Sequence, residues 1–140
     1  MPQLSQNVNP FRSTAIQGVK VYADFTGAGA AAPTVSASTE LSARDNFAST
    51  RDGNTTTVAR SGVGDHTYVF PNAPPSKAKV LSITAHVRGL ASIDTTIPFY
   101  DVVNGRLQVN VRTQTPAGVL TDLTTSEFLR IAIEVDLSNS

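Results

Sequence analysis

Histidine titrates nearest neutral pH and is the commonest general base, and this chain has two, His66 and His86, with no cysteine beside them. Asp65-His66 follows the glycine turn "SGVG" (Ser61 to Gly64) directly. A carboxylate that orients an imidazole is the heart of a general-base dyad. The run "HTYVF" from His66 to Phe70 reads as a strand, however, and adjacent side chains of a strand point to opposite faces. Asp65 and His66 therefore part company, and His66, Tyr68 and Phe70 form one packing face. His86 shares its face with Ser82, Thr84 and Arg88, opposite an apolar stripe, which makes it a surface or subunit-contact residue. Neither histidine has an H-x-H or H-x3-H partner, so no metal site is expected.

The remaining candidates fail on context. "GAGAAA" (Gly27 to Ala32) matches the spacing of a dinucleotide fingerprint, but that fingerprint needs a helix opening at its third small residue. Pro33 and a Thr/Val/Ser run follow instead. There is no G-x-S-x-G serine elbow. The acids Asp24, Glu40, Asp45, Asp52, Asp65, Asp94, Asp101, Asp122, Glu127, Glu134 and Asp136 fall mostly at turns or outward strand positions, where solvation is the default. Asn54-Thr55-Thr56 has the pattern of a glycosylation sequon and reads as a polar loop. Tryptophan is absent, so the usual stacking platform for sugars is missing. The expectation is a non-enzyme with no catalytic residues, cofactor or metal.

Composition agrees. The 140 residues suit one domain with a real core, and 11 Lys plus Arg balance 11 Asp plus Glu. Such neutrality gives no field to gather nucleic acid or an anionic membrane. No apolar run approaches the length of a spanning helix, and the first residues lack the charged and apolar regions of an export signal.

The elements that must position these residues are strands. "FLRIAIEVDL" sets Leu129, Ile131, Ile133, Val135 and Leu137 against Arg130, Glu134 and Asp136. "RLQVNVRT" sets Leu107, Val109 and Val111 against Arg106, Gln108, Asn110 and Arg112. "KVLSITAHVR" turns Leu81, Ile83, Ala85 and Val87 inward, and "VKVYADF" does so with Val19, Val21, Ala23 and Phe25. Shorter candidates lie at 34–38, 46–49, 55–60, 66–70 and 97–103, rich in Thr, Val and aromatics. Asn104-Gly105 is the dipeptide of a type I′ hairpin. Breaks at "GAGAAAP", "RDGN", "SGVGD", "PNAPPSK" and "TPAGV" recur at the spacing of sandwiches. Only "STELSARDNF" (38–47) would tolerate a helical turn. The predicted fold is all-β, an antiparallel β-sandwich or jelly-roll-like domain of about eight strands over 18–140. Residues 1–17, polar and carrying Pro2 and Pro10, read as an extended N-terminal arm.

Three stretches in order resemble the small β domain that closes many tailed-phage appendage and tail-fibre proteins. That domain opens on A-W-V-N-F-N-G-T-G, continues through N-G-T-G-D-Y-T-V-N-F and a proline loop, and ends on a strand pair around an S-G-T loop. "VKVYADFTGAG" (Val19 to Gly29), "RSGVGDHTYVFPNAPP" (Arg60 to Pro75) and "LQVNVRTQTPAGVLTDLTTSEFLRIAIEV" (Leu107 to Val135) are similar to these. Tyr22 stands near the family's tryptophan and His66 at its first tyrosine after G-D. The resemblance implies a bacteriophage virion structural protein, commonly a trimer, at the virion surface and without catalytic residues. Nearly freestanding behind its arm, the chain is expected to be a capsid decoration or cement protein in contact with its own copies and the major capsid protein. The alternatives are a tail appendage or receptor-binding tip, and a lectin or carbohydrate-active sandwich. Candidate assembly contacts are Phe11, Arg12, Ile16, Tyr22, Tyr100 and Phe128.

Overall fold

The structure, a computed structural model, describes residues 18–35, 55–71, 73–74, 76–89 and 91–136. The alternating segments form β1 (Gly18–Thr26), β2 (Thr34–Val35), β3 (Thr57–Gly62), β4 (Asp65–Val69), β5 (Val80–Arg88), β6 (Asp94–Val103), β7 (Arg106–Gln114) and β8 (Phe128–Asp136). A single 3-10 turn at Lys77–Lys79 precedes β5. Every pairing is antiparallel, in two four-stranded sheets of order β2-β1-β8-β5 and β3-β4-β7-β6. The fold is the expected β-sandwich.

The two sheets meet through the apolar side of each alternation. Phe25 of β1 crosses to the other sheet, its ring centroid 4.5 Å from Tyr68 and 6.5 Å from Phe70. Tilted aromatic pairs at these separations add to the stabilisation from burial alone. Around them Leu107, Val109 and Val111 face Leu129, Ile131 and Ile133, all buried. Each such side chain contributes about 1.5–3 kcal/mol relative to exposure. Tyr68 is buried deeply enough that desolvation pushes its hydroxyl far above the ordinary tyrosine range, so it stays neutral.

Several details depart from simple alternation, each for a local reason. Leu81, expected inside, is exposed, and Val80 is buried in its place. The register jumps between Val80 and Ser82 against β8, so a bulge at Leu81 reverses the phase before Ile83 restores it. Asn110 lies on the outward face as expected but is only 3 % exposed. Its amide donates to Asp65 Oδ1 at 2.8 Å, and to the His66 carbonyl and Thr67 Oγ1 at 3.2 Å each. β6 begins at Asp94 rather than Ile97, because a register shift between Thr96 and Phe99 accommodates Pro98. Tyr100 consequently pairs with Val109 and packs half-buried against the core, while Phe99 beside it is 51 % exposed. The candidate strand at 46–49, the tolerated helical turn at 38–47, the arm at 1–17 with Phe11, Arg12 and Ile16, and Leu137 lie outside the described residues.

Turn chemistry sets the joins. Asn104 and Gly105 both take positive φ, 53° and 71°, and join Val103 to Arg106 as a two-residue hairpin. "TPAGV" forms a second hairpin in which Gly118 N–H donates to Thr115 O and Thr115 N–H to Val119 O, both at 2.8 Å. From there the chain returns through Thr121 to Glu127 across the end of the sandwich. At Gly64 this return passes so close that a Cβ would lie 2.5 Å from the Thr113 carbonyl oxygen and 2.7 Å from Thr121 N.

Gly64 has φ +63°, whereas Gly105 at φ +71° looks onto open space. Gly105→Ala should therefore cost only the left-handed backbone penalty, about 1–2 kcal/mol. Gly64→Ala adds the clash and should cost roughly 3 kcal/mol or more. Urea midpoints of the two variants check the difference.

Candidate functional site

The best-defined polar cluster sits where the β3–β4 turn meets the Thr121–Glu127 return. His66 and Arg60 are direct cross-strand partners on the inward face of the β3–β4 hairpin, and directly opposed Cβ atoms lie about 4.5–5.5 Å apart. Asp122 arrives over them from the far side of the chain. Its Oδ2 accepts from Arg60 Nη2 at 2.8 Å, while Oδ1 accepts from Gly64 N–H at 2.9 Å and from Arg60 Nε at 3.4 Å. A fork donor meeting both carboxylate oxygens is the geometry that gives arginine pairs direction as well as charge.

His66 Nε2 is 3.9 Å from Asp122 Oδ1, too far for a hydrogen bond. The ring is only 2 % exposed, and Nε2 is buried without a hydrogen-bond partner among the described residues. Burial dominates its titration and lowers its pKa below the ordinary histidine value; Asp122 opposes that shift, Arg60 adds to it, and Asp65 opposes it weakly. The Arg60 hydrogen bond, helped by the Gly64 N–H, holds Asp122 below the usual carboxylate range. At neutral pH the cluster is thus a neutral imidazole beside an ionised, arginine-locked carboxylate. Base catalysis needs an acceptor within reach of a substrate proton, and a ring enclosed in this way presents none to solvent. The neighbouring hydroxyl of Thr113 is committed to the Thr121 carbonyl at 2.6 Å. The arrangement binds one loop to one hairpin.

The structure separates Asp65 from His66. Asp65 faces outward, 3.5 Å from Arg112 Nε and bonded to Asn110. His66, Tyr68 and Phe70 share the inner face and are all buried. His86 is exposed on the outer face of the other sheet, in register with Arg130. On that face Tyr22 and Phe128 are exposed, and the Arg130 guanidinium lies 5.1 Å from the Tyr22 ring centroid while bonding both oxygens of Asp24, at 2.7 and 2.9 Å. Tyr100 belongs to the interior side, with Lys77 Nζ 5.0 Å from its ring. The glycines of "GAGAAA" serve packing: Gly27 N–H donates to Glu127 O at 2.9 Å and Gly29 N–H to Leu123 O at 2.7 Å.

Arg60 and Asp122 were not singled out from sequence. Counting back from the turn places Ser61 opposite His66, and only the register shift between Arg60 and Gly62 brings Arg60 there. Nothing local marks Asp122, which is 62 residues from Arg60. A third such residue is Glu127, 2 % exposed, whose Oε1 accepts from Thr124 N–H and Oγ1 at 2.9 and 3.0 Å. The Thr-x-x-Glu spacing from 124 to 127 is that of a capping box, here closing a turn rather than opening a helix.

His66→Ala should lower stability by roughly 1–3 kcal/mol through lost packing beneath the Asp122 lock. Chemical denaturation of the purified variant at neutral pH checks it, and a loss below about 0.5 kcal/mol, the scale of surface substitutions, would refute the packing role.

No family model, curated protein or solved structure matches this chain.

Proposed function

We propose that the chain is a non-enzymatic virion structural protein of a tailed phage, a capsid decoration or cement protein that stabilises the shell through contacts with its own copies and with the major capsid protein. One observation carries this reading. The three stretches that resemble the appendage domain are adjacent in space: the first and third supply β1 and β8, the second and third supply β4 and β7. Their loops meet on the return segment, Gly29 N–H donating to the Leu123 carbonyl and Gly64 N–H to Asp122 Oδ1. A resemblance spread over scattered loops would carry little; this one covers the centres of both sheets and the joint between them.

Two further features support the reading. The polar cluster is spent on holding loops together, which suits a chain whose work is to keep a shape. Equal numbers of acidic and basic residues let many copies gather without self-repulsion. In this reading Tyr22 and Phe128, exposed on the rigid β1-β8-β5 face, and the arm with Phe11, Arg12 and Ile16 make the subunit contacts, in a trimer at the particle surface. Aromatic side chains are favoured at such contacts because they carry large area on few rotatable bonds.

Counting copies in purified particles, by labelled microscopy or quantitative mass spectrometry, tests the proposal. Copies distributed over the whole shell are expected. A small set at one vertex would overturn decoration in favour of a tail tip, and absence from particles would overturn the virion reading itself. Removing residues 1–16 should leave a folded β domain that no longer incorporates, as read by circular dichroism and particle binding.

A further inference from the structure

Asp122 faces two groups that can both be cations, and it is bonded to only one of them. Arg60 holds the carboxylate through two contacts, while His66 Nε2, enclosed and without a hydrogen-bond partner among the described residues, waits 3.9 Å from Oδ1. The two side chains are cross-strand neighbours on β3 and β4, and both address the same carboxylate oxygen, Arg60 Nε at 3.4 Å and His66 Nε2 at 3.9 Å from Oδ1. The other groups around the ring do not compete for the carboxylate. Val111, the register partner from β7, is apolar. Asp65 on β4 faces outward to Arg112 and Asn110, and the Tyr68 ring, 6.4 Å away, stays neutral.

We propose that this trio is a proton-driven exchange of partners: with His66 neutral, Asp122 holds Arg60, and with His66 protonated, Asp122 turns to the imidazolium and releases Arg60 together with the turn end of β3. Protonation turns an orphaned ring nitrogen into a charged donor, which has to find an acceptor when buried. Asp122 Oδ1 is 3.9 Å from it, and a charge-assisted bond there needs an approach of about 1 Å. β3 is the element free to respond. Among the described strands it pairs with β4 alone, its side chains are mostly exposed, and its register is broken beside Arg60. Its other end is tied separately, by Arg106 Nη2 donating to Thr55 O at 2.6 Å, so release at Arg60 frees one end and not the whole strand.

The sign follows from the lowered His66 pKa. Such a group contributes stability above the unfolded histidine value, near 6.5, and that contribution is lost as pH falls toward the folded value. Asp122, also lowered, acts in a separate window, with its contribution lost only below the ordinary carboxylate range. Mild acid therefore addresses the exchange and strong acid the carboxylate itself. The inference rests on the cluster alone and stands or falls independently of any role in a particle.

Amide hydrogen exchange on the full chain, corrected for intrinsic rates and compared at about pH 7.5 and about pH 5 on either side of the histidine value, tests it. Protection of β3 should fall about tenfold on acidification while β8 holds, a difference on the scale of local opening. His66→Gln, which cannot be protonated, should remove the pH dependence in β3. An unresponsive wild-type β3, or His66→Gln with the wild-type response, would overturn the proposal. Should His66→Gln not fold, Arg60→Gln gives a second readout. Freeing Asp122 from its competitor should raise the His66 midpoint in a proton NMR titration, with His86 on the other sheet as reference, and an unchanged or lower midpoint overturns the exchange.

Discussion

The segment from Thr121 to Glu127 has to lie directly against two turns with no side chain between them, and much of the molecule's order follows from that approach. At Gly27 the backbone is pressed onto Leu123 and Thr124, and at Gly64 onto Thr113 and Thr121. Close backbone approach is one of the few demands only glycine meets at no steric cost. The consequences run outward from it. Leu123 is delivered into the core, the chain crosses from the β7 sheet to the β8 sheet, and Asp122 reaches the far hairpin. A carboxylate placed on a loop held this firmly can act as a fixed acceptor, which is what the Arg60 fork and the Gly64 amide require.

How much of this could be read in the chain depended on the range of the interaction. Alternation is local, and "FLRIAIEVDL" gave up its inner face, Leu129 through Val135, without any knowledge of neighbours. The Asn104-Gly105 turn was equally plain, because positive φ at two successive residues suits few dipeptides. The separation of Asp65 from His66 needed only the period of a strand. What stayed hidden was non-local or irregular. A bulge announces itself weakly, so Leu81 and Val80 exchanged places, and the shift at Pro98 turned Tyr100 inward and Phe99 out. The polar cluster is assembled from β3, β4 and a return loop far along the chain, and no spacing rule reaches that distance. "TPAGV" carried a readable hairpin signal, proline followed two residues later by a left-handed glycine, which a reading of it as a simple break passed over.

The interior histidine shows how position alters what a side chain offers. In solution an imidazole and a carboxylate invite proton transfer. Here the imidazole is closed to water, and the carboxylate's strongest partner is a guanidinium that never gives up its proton. The chemistry that survives is a contest over hydrogen bonds. The outcome of such a contest is a change in which segments are held.

The register shifts are distributed with a consistent bias. Among the described strands all of them fall on outer ones: β3 beside Arg60, β5 at Leu81 and β6 at Pro98. The inner pairs β1 with β8 and β4 with β7 run without interruption. A straight outer strand offers a ladder of donors and acceptors on which another chain can grow, and bulges and prolines deny it that template. At these edges the sandwich favours finite contact through side-chain surfaces over open-ended fibre growth.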